Sequence, residues 1–248
     1  MGFLDKLFKG KGDASVPKGP TGALARLQKK LTNKYGQPQD RQQALRAVAD
    51  IGTEEAVAIL LKRYTFRIEQ SIGDEEEKQM VFDELVRLGP VAVQPILEFL
   101  DKENASYWPL KALREIVGDE EAVDHLLDII DRAEAIFDRD IQRKVELVSN
   151  LREFKDPRVR ERLLEFLDDE NEELRVQAVE GLMELGQEEV ADVMVDRLVD
   201  EGETQRLKTA ILNLLIEKKW KVRQRKEEVR KVIPQAFWID DTGVIRRR

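Results

Sequence analysis

One phrase returns along this chain at a fixed interval, and that periodicity constrains the fold more than any other feature. Asp50-Ile51-Gly52-Thr53-Glu54-Glu55-Ala56-Val57 comes back as Ile116-Val117-Gly118-Asp119-Glu120-Glu121-Ala122-Val123, and again as Glu184-Leu185-Gly186-Gln187-Glu188-Glu189-Val190-Ala191. The offsets are 66 and 68 residues, so the underlying period is 33–34. Variants fill the gaps: Arg87-Leu88-Gly89-Pro90 precedes one apolar run, and Asp156-Pro157 precedes another that ends at Leu167. A period of this size means stacked supersecondary units, because one such unit cannot bury its apolar faces alone.

Within a unit the apolar residues fall at helical spacing on two stripes. Leu174, Ala178, Leu182 and Leu185 form the first stripe of the fifth unit, and Ala191, Met194, Val195 and Leu198 form the second. Steps of three and four place each set on one side of a helix. A Gly or an Asp-Pro between the stripes suits the end of one helix and the first turn of the next. The pattern predicts a basic lead-in helix at 21–35, then helix pairs at 39–51 and 54–70, 75–88 and 91–102, 107–117 and 120–137, 139–154 and 157–168, 172–185 and 188–200, and 204–219 and 223–232. The expected organisation is an amphipathic segment and linker at 1–20, a solenoid at 21–232, and an extended or hairpin-like basic tail at 233–248.

Leu174-Arg175-Val176-Gln177-Ala178-Val179-Glu180-Gly181-Leu182-Met183-Glu184-Leu185-Gly186 resembles the first helix of a HEAT repeat, and so does Asp40 through Gly52. Asp156-Pro157-Arg158-Val159 through Leu167 resembles the second helix. The likeness spans roughly 38–218 and implies an all-α, right-handed α-solenoid of about six helical hairpins. Two departures stand out: Trp108-Pro109 interrupts the opening of the third unit, and Thr65 to Gln70 carry the second helix of the first unit past its usual length.

Charge divides the chain into three. Residues 1–37 carry eight basic and two acidic side chains, and residues 218–248 carry eleven and four; the stretch between has 23 basic against 44 acidic, a net of −21. Such a middle repels phosphate backbones and argues against nucleic acid as a partner, while favouring a protein partner of basic character. The basic ends suit an anionic surface. No run approaches the roughly 18 apolar residues of a membrane span, and the chain has no Cys and one His, which fits a cytoplasmic protein without a metal or other cofactor.

Phe3, Leu4, Leu7 and Phe8 share one helical side beside Lys6 and Lys9, as in a short peptide that lies on a membrane or in a groove. At the other end Phe237 and Trp238 precede the turn-like Asp240-Asp241-Thr242-Gly243, where they cap the last hairpin or anchor a partner. Helix phase assigns groove contacts to Arg63, Phe66 and Arg67 of the first unit and to Asp124, His125, Asp128 and Asp131 of the third. His125 replaces the aliphatic residue of the other units, and nothing nearby marks it as a general base. Glu54-Glu55, Glu120-Glu121 and Glu188-Glu189 sit where carboxylates favour a helix start. The resemblance also brings three enzyme groups into view. Deoxyhypusine hydroxylases require repeated His-Glu ligands absent here, HEAT-like DNA glycosylases conflict with the acidic middle, and phycobilin lyases carry no motif to test. The expected function is a non-enzymatic scaffold or adaptor binding partners along the concave row of second helices. The alternative is a peripheral organiser at the inner membrane surface, held by residues 1–9.

Overall fold

In the computed structural model, which describes residues 22–69, 71–135 and 141–248, thirteen α-helices follow one another and a small hairpin closes the chain. The lead-in helix α1 is Gly22–Leu31. Six hairpins follow: α2 (Pro38–Ala49) with α3 (Glu54–Leu61), α4 (Ser71–Leu88) with α5 (Pro90–Leu100), and α6 (Tyr107–Val117) with α7 (Asp119–Ala135). Then come α8 (Ile141–Leu151) with α9 (Pro157–Glu165), α10 (Glu172–Leu185) with α11 (Ala191–Val199), and α12 (Gln205–Glu217) with α13 (Lys226–Val232). The chain is thus an all-α helical-repeat solenoid.

The repeat phrase is the turn inside a hairpin. Its closing glycines Gly52, Gly118 and Gly186 all take positive φ, a backbone state that costs a side-chain-bearing residue and lets the chain reverse at once. Thr53 then caps α3 by accepting from the Ala56 amide, and acidic residues occupy the first turns of α3 and α7. One continuous apolar core runs from Leu24 and Leu31 at one end to Ile239 and Ile245 at the other, so every hairpin is covered by its neighbours.

Three differences from the sequence reading follow from identifiable causes. Trp108-Pro109 does not break the third unit: α6 starts at Tyr107, and Pro109 falls in its first turn, where the missing N–H has no intrahelical partner to lose. The second helix of the first unit does not run to residue 70; α3 stops at Leu61, continues as a 3₁₀ turn over Lys62–Thr65, and gives way to extended backbone at Phe66. Arg63 is not a groove contact, because its side chain is 0% exposed. Its Nε donates to Glu77 at 2.7 Å and its terminal nitrogen to Asp74 at 2.7 Å, and these bonds draw the chain out of the helix.

Arg63 belongs to a buried ionic cluster that locks the first hairpin to the second. Arg41 of α2 holds the same Glu77 through Nε and a terminal nitrogen, 2.9–3.1 Å away, and also donates to the Gly36 carbonyl. Lys78 Nζ lies 2.7 Å from Asp74. Burial alone would push the Asp74 carboxyl up, but hydrogen bonds from Lys78, Arg63 and the Ile68 amide outweigh it and hold the group at about 2.

At the far end, β1 (Phe237–Ile239) pairs antiparallel with β2 (Ile245–Arg247). Asp240 organises the turn by accepting from the Thr242 and Val244 amides, and its second oxygen accepts from Arg246. Phe237 packs on the core, as expected of a cap, while Trp238 remains 45% exposed.

The cluster sets two expectations. Glu77→Ala leaves two buried guanidiniums short of a carboxylate and costs about 3–5 kcal/mol in urea unfolding, whereas Glu75→Ala, at an exposed edge of the cluster, costs less than about 1 kcal/mol. Because the folded Asp74 pKa lies below its ordinary 3.8, its contribution is present above that value and is lost as pH falls toward about 2. Melting temperatures between pH 5 and 2 fall less steeply in Asp74→Asn than in the parent.

Candidate functional site

Aromatic residues make up only 6% of the chain, yet four of them meet where the turn after α3, helix α4 and the start of α6 come together. The Tyr64 and Trp108 rings stack with planes 4° apart and centroids 6.4 Å apart. Phe82 and Tyr107 approach Trp108 edge-on, at 5.9 and 5.6 Å. Lys111 Nζ sits 5.0 Å from both the Phe82 and Trp108 centroids, and the Arg63 guanidinium covers Phe66 at 4.6 Å. Burial pushes the Tyr64 phenol well above its ordinary value, so it remains a neutral donor to the Lys78 carbonyl.

Tyr64, Phe66, Tyr107 and Trp108 wall a cleft of about 460 Å³ that also borders Glu75, Asn104 and Glu146. A second cleft of about 410 Å³ lies between Lys34-Tyr35 and Ile68-Glu69, and Arg67 lines both. The backbone on either side of Arg67 is pinned by the buried cluster. The Phe66 carbonyl accepts from Arg63 at 3.1 Å, and the Ile68 amide donates to Asp74 at 3.1 Å. Arg67 itself is exposed, and no carboxylate among the described residues lies within ion-pair distance of it. The result is an exposed cation carried on an anchored stretch of backbone between two clefts, with Tyr107 (50% exposed) on one side and Tyr35 (83% exposed) on the other. Phe66 and Arg67 line the cleft, but not through the helix phase that assigned them to a groove, because α3 and its 3₁₀ turn stop before them. Tyr35 and Tyr107 were not legible in the sequence, because each lies where a repeat pattern carries no information: a connecting loop and the start of a helix.

The acidic candidates of the third unit have a different employment. Asp124 and Asp131 of α7 pair with Arg158 and Arg162 of α9, the second pair at 2.5 Å. Asp128 pairs with Arg132, which also reaches Asp101 at the end of α5. Asp168 pairs with Arg197 of α11, and Asp196 with Arg225 at 2.5 Å. The cross-repeat partners are 29–34 residues apart, about one repeat. Close backbone contact joins α4 to α6, α8 to α10 and α10 to α12, while α5, α7, α9 and α11 stand further apart and are bridged by these long side chains. The alternating charges expected as a free patch therefore largely neutralise one another. His125 is half-buried with Nε2 3.8 Å from Glu121.

Phe3, Leu4, Lys6, Leu7, Phe8 and Lys9 lie outside the described residues. Among the described residues no helix is long and apolar enough to cross a membrane, and no group of three or more His, Asp or Glu is placed to hold a metal ion. Residues 132–215 match the family model for HEAT repeats. No curated protein matches the chain. HEAT repeats in general mediate protein–protein interaction.

The bridges of Asp124 and Asp131 to Arg158 and Arg162 are largely exposed, so each contributes about 0.2–1 kcal/mol at low salt. Asp124→Asn with Asp131→Asn lowers the urea midpoint measurably at 20 mM salt, and the difference from the parent closes at about 1 M, where the screening length is roughly 3 Å.

Proposed function

We propose that this HEAT-repeat protein is a non-enzymatic scaffold or adaptor, and that the paired clefts around Arg67 are where it holds a protein partner. The supporting observation is Arg67, on an anchored stretch of backbone between two exposed tyrosines and with no ion pair among the described residues. Interfaces draw most of their affinity from a few aromatic and arginine anchors in positions that require little ordering. Arg67 has both backbone neighbours fixed before any partner arrives, and Tyr107 is braced by Trp108. A partner segment with a carboxylate beside apolar or aromatic side chains fits this arrangement, the carboxylate on Arg67 and the apolar groups on the rings.

The second reading, attachment to an anionic membrane, draws support from α1. Arg26, Lys29 and Lys30 are exposed and form no ion pair among the described residues, so the helix leading out of the amino-terminal segment carries an uncompensated basic edge. In this reading the edge adds to residues 1–9.

Affinity capture from native extract, followed by mass spectrometry, tests the first reading. Tyr107→Ala and Arg67→Glu each reduce recovery of a stoichiometric partner at least tenfold, while Asp128→Asn leaves it intact; equal recovery by all four proteins sinks the assignment of the clefts. Flotation with phosphatidylserine-containing vesicles tests the second. The chain floats with anionic but not neutral vesicles, and Lys29→Glu with Lys30→Glu abolishes flotation.

A further inference from the structure

We propose that the clefts around Arg67 are also the docking site of the chain's own residues 1–9, which compete there with the external partner. The inference rests on the preceding reading of the clefts as a binding surface and names one ligand for them.

Chemistry, charge and reach support this occupant. The clefts offer aromatic walls, two exposed cations, Arg67 and Lys34, with no ion pair among the described residues, and, at their borders, the carboxylates Glu69, Glu75 and Glu146. The segment Phe3-Leu4-Asp5-Lys6-Leu7-Phe8-Lys9 has the complementary set: an acid flanked by large apolar side chains, with two lysines beyond it. Asp5 on Arg67 places its apolar neighbours against Tyr107 and Trp108 and leaves Lys6 and Lys9 for the bordering glutamates. Helix α1 and helix α2 form a hairpin whose connection, Thr32–Gln37, contributes Lys34 and Tyr35 to the second cleft. Gly22 therefore lies one length of α1, about 15 Å, from that cleft. The twelve residues 10–21 span up to about 40 Å, which exceeds the need.

A connection of this length gives an effective concentration of about 1 mM. A segment that binds in isolation with a dissociation constant of about 100 μM then occupies its own clefts about nine-tenths of the time. It weakens any competitor about tenfold.

The test is a titration of a fluorescent peptide of residues 1–12 into two full-length proteins, the parent and the Phe3→Glu, Leu7→Glu variant whose own segment no longer fits. The expected result is saturable binding to the variant, at least about fivefold weaker binding to the parent, and loss of binding when Tyr107→Ala or Arg67→Glu is added to the variant. A peptide carrying Asp5→Lys binds the Arg67→Glu form better than the native peptide does. Circular dichroism and melting curves show that these surface changes leave the fold intact. Equal affinity for parent and variant overturns the proposal, as does binding that ignores both cleft substitutions. A peptide that partitions into anionic vesicles but does not bind the variant protein assigns residues 1–9 to lipid and likewise overturns it. Partner capture that depends on Tyr107, combined with no peptide binding, removes the self-docking alone and leaves the partner site standing.

Discussion

A helical hairpin carries apolar side chains on more surface than its two helices can hide from each other. Leu45 and Val48 of α2, like Leu60 and Leu61 of α3, become fully buried only because further elements cover them. At roughly 25 cal/mol per Å² the gain from covering such surface is large, and it accrues only when hairpins stack. The requirement passes along the chain until something closes it. Helix α1 closes one end with Leu24 and Leu31, and the β1–β2 hairpin closes the other with Ile239 and Ile245. Both closing elements turn basic residues outward, and like charge at the two ends opposes the head-to-tail joining that open repeat stacks invite.

Apolar stacking is not directional, so polar contacts determine how neighbouring hairpins sit. Two devices divide that work. Between the first and second hairpins, Glu77 of α4 takes two guanidiniums from the first, Arg41 of α2 and Arg63 beyond α3, in a buried cluster whose parts are expensive to leave unpaired. From α5 to α13, exposed Arg–Asp bridges join second helices one repeat apart. The first device is rigid and specific; the second is weak per bridge, repeated, and open to screening by salt. The amino-terminal part of the solenoid is therefore the better platform for a site that depends on fixed geometry, and the clefts lie there.

Architecture was legible in the sequence because period and helical phase are statements about backbone packing, and packing wins most local contests. Helix α10 illustrates this: every residue of its first stripe, its Asn171 start and its Gly186 stop point the same way. The end of α3 was not legible. Its sequence continues in a helix-compatible manner through Arg67, and only Arg63 meeting Asp74 and Glu77, eleven and fourteen residues on, makes the 3₁₀ turn and extended exit preferable. Helix phase likewise placed Asp124 and Asp131 on the surface. It contained no information on Arg158 and Arg162, one repeat away, which engage them.

The two places where the repeat pattern faltered turn out to face each other. Thr65 and Arg67, beyond the end of α3, form one wall of the aromatic cleft; Tyr107 and Trp108, at the irregular opening of α6, form the other. A repeat array conserves stacking geometry in every unit, so a residue that serves stacking has counterparts one period away. Trp108 and Arg67 have none among the units quoted above. Real proteins depart from local consistency chiefly where function or strain compensates. The two departures meet across one cleft, with the buried cluster holding the backbone of one of them and ring packing holding Trp108 in the other, so neither serves the repeat's own stacking period.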